Sequence, residues 1–153
     1  MDQIDLQILK LLQENGRISN SEIGRKLDMV PSAILERIRK LEEQGHITGF
    51  HAQVNPSSLN LNFLAFVFVR VNGELWHDES TQKLAELPEV LEVHHVAGED
   101  CYLLKVRVAN PQDLANFMRT KMRAINPQAS SRSIIVLETI KETSILPLER
   151  DSQ

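Results

Sequence analysis

The chain has little with which to build covalent or redox chemistry. Its 153 residues include one cysteine, Cys101, so no intrachain disulfide can form and no cysteine cluster can hold a metal. Long apolar runs are missing. The longest, from Phe63 to Val71, contains Arg70 and falls far short of the roughly 20 residues that cross a bilayer. The start, Met1-Asp2-Gln3-Ile4-Asp5, does not read as a secretory signal, which needs a basic stretch and then an apolar one. A cytoplasmic protein without a membrane partner is the expectation. Positive charge is not in excess either. The formal net charge is -4, which runs against a nucleic-acid footprint unless the field that matters is local. No nucleophile–base pair or metal-ligand set stands at a recognisable spacing, so no catalytic residue, metal ligand or cofactor is assigned.

What is present is pattern. Ile4, Ile8, Leu11 and Leu12 recur at helical spacing, with Leu6 and Leu9 beside them. Asp2 is placed to cap this first helix, and Asp5 adds negative charge to its first turn. Asn15-Gly16 is expected to end it through a left-handed glycine. A short second helix follows, capped from Ser19 or Asn20, with Ile23 and Leu27 facing inward. Pro31 opens a third helix, since its missing N–H loses no helical partner in the first turn. Ile34, Ile38 and Leu41 form its stripe, and Gly45 stops it. Ile47 to Val54 then alternates as a short strand or wing before the linker Asn55-Pro56-Ser57-Ser58.

Beyond the linker the period changes. Phe63 to Val71 predicts a strand, Glu79 to Leu87 a helix, Val90 to Val96 a second strand, Gly98-Glu99-Asp100 a hairpin turn and Cys101 to Val108 a third strand. Asn110-Pro111 opens a helix that runs through Ala124. Ser133 to Ile140 predicts a last long strand, and Thr143 to Leu148 a further short one. The order βαββαβ is ferredoxin-like, with two helices on one face of an antiparallel sheet. The chain therefore reads as α+β in two domains. A winged helix-turn-helix occupies residues 1–50, a strand or linker 51–61, a ferredoxin-like domain 62–148 and a tail 149–153. The uncovered face of the sheet is expected to carry Phe66, Phe68, Val106 and Val108. An exposed patch of that kind marks an interface, so a homodimer is the expected minimal unit.

Three short helices with a tight turn before the third suit a helix-turn-helix, whose last helix lies in the major groove of double-stranded DNA. On a wheel of about 100° per residue, the face opposite the stripe carries Ser32, Glu36, Arg39 and Lys40, with Arg37 on the flank. Arg can read guanine, Glu can accept from cytosine and Ser can contact either base or phosphate. Arg17, Arg25 and Lys26 are placed to hold the backbone, which sets register without reading sequence. The bland alternative is a solvated amphipathic helix. Over residues 30–44 the charges of Arg37, Arg39 and Lys40 cancel those of Glu36, Glu42 and Glu43, so charge alone favours the bland alternative.

Further residues carry a more specific signal. Asp2-x-x-Asp5-x-x-Ile8-Leu9-x-x-Leu12-Gln13-x-Asn15-Gly16-Arg17 is followed by Arg37-Ile38-x-x-Leu41-Glu42-x-x-Gly45-x-Ile47-x-Gly49-Phe50. Later come Leu87-Pro88-Glu89-Val90, the run Ala97 to Val106, and Ile140-Lys141-Glu142-Thr143. In order and spacing these closely resemble the Lrp/AsnC (feast/famine) transcription regulators over nearly the whole chain. The resemblance implies a DNA-binding regulator of amino-acid or related metabolism, with a ferredoxin-like domain that dimerises through its sheet. It also implies assembly of the dimers into octamers or other higher rings, and a small effector, an amino acid above all, bound where dimers meet. The effector site it implies is the turn Gly98, Glu99, Asp100, Cys101 and Tyr102. There Gly98 allows backbone N–H groups to converge on a carboxylate, Glu99 or Asp100 can pair with an amino group, and Tyr102 supplies a wall. In this turn Cys101 stands where an aspartate is usual. In the third helix Val30 replaces the usual serine before Pro31 and cannot cap.

Other residues stay open. His94 and His95 are neighbours in a strand and face opposite ways, so they are not expected to share a metal. Trp76 and His77 lie in a loop before a helix, where Trp76 is expected to lid the sheet. Two other function classes compete with the regulator. One is an architectural DNA-binding protein without an effector, which shares the third helix. The other is a small ferredoxin-like enzyme, which leaves the three-helix unit without a purpose.

Overall fold

The computed structural model describes residues 1–70, 79–98 and 102–148. Two compact units separate, one of Met1–Gln53 with the segment that starts at Lys141, the other of Val54–Ile140. No described helix is long and apolar enough to cross a membrane.

The first unit is built from α1 (Gln3–Glu14), α2 (Asn20–Leu27) and α3 (Pro31–Glu43). Asp2 caps α1 in a reciprocal capping box with Asp5, and the Ser19 hydroxyl caps α2 through the Glu22 N–H. Val30 gives α3 no side-chain cap, and Pro31 begins the helix. Ile8, Ile23 and Ile34 are fully buried and, with Leu41, form the core. Each helix thus lends a branched side chain, and burial of each such side chain stabilises the fold by roughly 1.5–3 kcal/mol.

The α2–α3 turn is made by backbone. Asp28 is left-handed, at φ 54°, and the Met29 N–H bonds back to the Gly24 carbonyl at 2.8 Å. Gly24 is buried, and a Cβ there would lie 2.4 Å from the Met29 carbonyl oxygen. Gly45 stops α3 as expected, at φ +72°. Gly16 does not act as a left-handed cap. Instead α1 ends on an extended Asn15, at φ -147°, whose N–H reaches the Leu11 carbonyl.

The wing expected over Ile47 to Val54 is not a strand. A strand needs a partner for its backbone groups, and no described strand pairs with it. The short strand expected over Thr143 to Leu148 is also absent; the segment instead docks on α1. There the Gln13 side chain accepts the Leu146 N–H at 2.7 Å and donates to the Leu146 carbonyl at 3.1 Å.

The second unit opens with a 3-10 turn at Pro56–Leu59 and continues as β1 (Phe63–Arg70), α4 (Glu79–Ala85), β2 (Val90–His95) and β3 (Tyr102–Val108). Then come α5 (Pro111–Phe117), a π turn (Met118–Met122), α6 (Arg123–Ile125) and β4 (Ser130–Ile135). The sheet is antiparallel in the order β2-β3-β1-β4, as the ferredoxin-like reading requires. The long helix predicted through Ala124 is interrupted by the π turn. At about 100° per residue, an α-helix would set Phe117 and Met122 some 140° apart, yet both are buried. The wider turn brings them onto one face over the sheet.

β4 begins and ends earlier than predicted because its partner dictates its length. It runs from the Arg70↔Ser130 pair to Ala65↔Ile135, with a last bond from the Val136 N–H to the Leu64 carbonyl. Register also corrects the face assignment. Ala65 pairs with Val106, Val67 with Leu104 and Val69 with Tyr102, and all six lie in the core under Leu84, Leu114 and Phe117. Val106 and Val108 are therefore on the covered face. The uncovered face has Phe66 opposite Lys105, Phe68 opposite Leu103 and Ile134 beside Phe66. The Arg132 guanidinium lies 4.4 Å over the Phe68 ring.

Lys121 of the π turn forms an ion pair with Glu89, just before β2, and so ties the helix layer to the sheet. Burial works to raise the Glu89 pKa, but the Lys121 bond and a backbone bond outweigh it and hold the carboxyl below its ordinary value.

Two outcomes follow from these contacts. Gly24→Ala should destabilise the first unit by roughly 1–3 kcal/mol, because the added methyl meets backbone. Urea unfolding of the full chain would register this as a lower midpoint, and a parent-like midpoint would mean that the turn yields. The Glu89 contribution has a defined pH window. A carboxylate with a lowered folded pKa adds stability above its unfolded value of about 4.3, and that stability is lost as pH falls through the folded value. Glu89→Gln should therefore lower the melting temperature at neutral pH and have a shrinking effect in acid below that range. An effect that grows with acidification would contradict the assignment.

Candidate nucleic-acid interface and effector turn

α3 turns one face to its core and the other to solvent. Ser32, Glu36, Arg39 and Lys40 are all exposed, as the sequence predicts. Arg39 and Lys40 form no ion pair among the described residues. Arg17 is exposed before α2, and Arg25 and Lys26 are exposed in its last turn, where positive charge also suits the helix dipole. Leu35 escaped the sequence reading. It is 48% exposed and sits on the wheel beside Arg39, where an apolar side chain can meet a thymine methyl. Its signal was available, as an apolar residue about 100° off the buried stripe.

Arg37 differs from its neighbours. Its Nη1 donates to Asp2 Oδ2 at 2.8 Å and to Asp5 Oδ1 at 2.6 Å. The guanidinium that the sequence placed with the DNA-facing set is thus engaged inside the unit. The Asp5 backbone N–H and then Arg37 hold the Asp2 carboxyl below the ordinary carboxylate range, and Asp2 and then Asp5 raise the pKa of Arg37.

In the second unit, Glu99, Asp100 and Cys101 of the expected effector turn lie outside the described residues, as do Trp76 and His77. Gly98 has φ +133°, a backbone conformation that a side chain rarely adopts, and a Cβ there would meet no atom within 4 Å among the described residues. Tyr102, expected as a wall of the site, is 7% exposed and belongs to the core. Its ring stacks on His95 with centroids 5.0 Å apart. His94 and His95 do face opposite ways: His94 bonds Glu92 on the uncovered side, and His95 leans on Tyr102.

The concave features described in this unit lie elsewhere. A cleft of about 310 Å³ is lined by Glu89, Arg107, Asp113 and Lys121, among others. Another of about 340 Å³ follows the π turn at Met118, Arg119, Met122 and Arg123.

Known proteins share this arrangement over nearly its whole length. Residues 1–42 match the AsnC-type helix-turn-helix domain, and residues 64–146 match the Lrp/AsnC ligand binding domain. The chain is 35% identical to the HTH-type transcriptional regulator FL11 of Pyrococcus furiosus, over 97% of both chains. It is 35% identical to the leucine-responsive regulatory protein of Haemophilus influenzae, over 97% of this chain and 91% of that one. Among solved structures it is similar to a Neisseria meningitidis transcriptional regulator in complex with L-Met. That likeness has a TM-score of 0.84 and 30% identity, over 97% of each chain.

Proposed function

The chain belongs to the Lrp/AsnC family of transcriptional regulators, and from that premise we propose that α3 docks in the major groove of double-stranded DNA. Ser32, Leu35, Glu36, Arg39 and Lys40 face the base edges, while Arg17, Arg25 and Lys26 hold phosphates. The observation that carries this reading is the exposed outer face of α3, where Arg39 and Lys40 are unpaired among the described residues. Phosphate contacts supply most of the affinity and the salt dependence, and base contacts supply the sequence preference.

The regulated genes belong to amino-acid or related metabolism, and the protein works in the cytoplasm. It assembles as a homodimer through the uncovered sheet face with Phe66, Phe68 and Ile134, and the dimers join into higher rings. A small amino acid binds in that assembly at the turn from Gly98 to Tyr102, and L-methionine is the first to try, since the Neisseria regulator is solved with it. The Tyr102 ring lies in the core, so Glu99 or Asp100 is the group proposed to pair with the amino group of the ligand. The named relatives are regulators, and no enzymatic role is proposed.

Arg39→Ala should weaken binding to a selected operator by roughly 1–3 kcal/mol and relax preference at the base it reads. Competition against a randomised duplex at fixed salt would measure both. Parent-like affinity and preference would refute this docking. For the effector, one or more of the twenty amino acids should raise the melting temperature of the full chain, and Asp100→Ala should abolish the shift while DNA affinity without ligand stays near parent. No shift with any of them would favour the architectural reading.

A further inference from the structure

We propose that Arg37 is a positioning residue: its bonds to Asp2 and Asp5 fix how α3 is presented to DNA, and it does not touch DNA itself. This inference rests on the docking of α3 given above.

The geometry is a closed set of bonds. Asp2 Oδ1 accepts the Asp5 N–H at 2.9 Å, and Asp5 Oδ2 accepts the Asp2 N–H at 2.8 Å. That exchange is the capping box of α1, and it leaves one oxygen of each carboxylate uncommitted. Those two oxygens, Asp2 Oδ2 and Asp5 Oδ1, meet at the same nitrogen, Nη1 of Arg37. The cap that starts α1 is therefore also a socket for a side chain from the middle of α3. The Asp5 side chain is 14% exposed and that of Arg37 30%, so this arm of the joint is partly screened from water, while Asp2, at 54%, stays open to it.

The packing of Ile8, Ile23, Ile34 and Leu41 sets which face of α3 is buried, and Arg37 adds a directional joint to it. Hydrogen bonds between charged groups select by distance and angle, and so narrow the rotation that packing leaves. Two further facts separate Arg37 from the DNA-facing set. Arg37 and Arg39 are two residues apart, which sets them about 160° apart around the helix, so one side cannot present both. A phosphate approaching Arg37 would also meet the carboxylates of Asp2 and Asp5, which repel it.

The test uses the full chain and an operator duplex selected with the parent protein. Binding of Arg37→Gln, Asp5→Asn, the double variant and Arg39→Ala is measured across a salt series, with circular dichroism to confirm helix content. Arg37→Gln and Asp5→Asn should each weaken binding on the order of tenfold, and the double variant should be no weaker than either alone, because residues of one network are not additive. The dependence of log affinity on log salt should keep the parent slope. Asp5→Asn is the sharpest arm, since loss of an acid next to DNA tightens binding on electrostatic grounds alone. Arg37→Lys, which keeps the charge and can reach the carboxylates, should restore part of the loss, and it carries the test if Arg37→Gln does not fold.

A slope reduced by about one in Arg37→Gln, with Asp5→Asn binding as well as or better than the parent, would make Arg37 a phosphate contact and overturn the inference. Parent-like binding by both single variants would overturn it too, and if Arg39→Ala loses affinity in the same series the docking still stands. If Arg39→Ala also binds like the parent, the docking of α3 fails, and this inference with it.

Discussion

The second unit depends on β1 having a bonded neighbour along each edge. β3 pairs with it from Phe63↔Val108 to Val69↔Tyr102, and β4 from Ala65↔Ile135 to Arg70↔Ser130. With both edges bonded to fixed partners, the alternation of β1 decides which side of the sheet is oily and covered. Ala65, Val67 and Val69 go under the helices, and Phe66 and Phe68 go to the other side. A slip of one residue against either neighbour would exchange the two sets. The early start and end of β4 follow from that register.

Most features set by local spacing were legible in the sequence, the left-handed stop expected at Gly16 excepted. The three helices, the caps of Asp2 and Ser19, the stop at Gly45 and the order βαββαβ all follow from residues a few positions apart. Features set by contacts across the chain were not. The predicted uncovered face mixed Phe66 and Phe68 with Val106 and Val108, because alternation within a strand says nothing of how two strands align. The wing failed because its backbone has no partner strand among the described residues. In the candidate interface, exposure of Ser32, Glu36, Arg39 and Lys40 was legible from helical period. The engagement of Arg37 was not, since its acceptors sit more than thirty positions earlier.

That engagement also bears on the balance of charge. Counted along the sequence, the basic residues of α3 are cancelled by its glutamates. Counted in space, Arg37 belongs with the two aspartates of α1, and the outer face is left with Arg39 and Lys40 near Glu36. What DNA would meet is this local arrangement and not the net charge of the chain.

The joining of β1 to β4 has an entropic consequence for the first unit, which is made from two stretches far apart in sequence. For the tail to reach Gln13, the intervening chain must form a loop, and a longer loop costs more, by about 0.6 kcal/mol for each doubling. β1 is where the chain enters the sheet and β4 is where it leaves, and the Val136–Leu64 bond sets entry beside exit. Once those strands pair and α1, α2 and α3 have packed, the intervening loop is closed through the sheet, and only the connections on either side still lose freedom when Leu146 docks. Folding of the sheet therefore lowers the cost of completing the helical unit, which couples the stabilities of the two through chain topology.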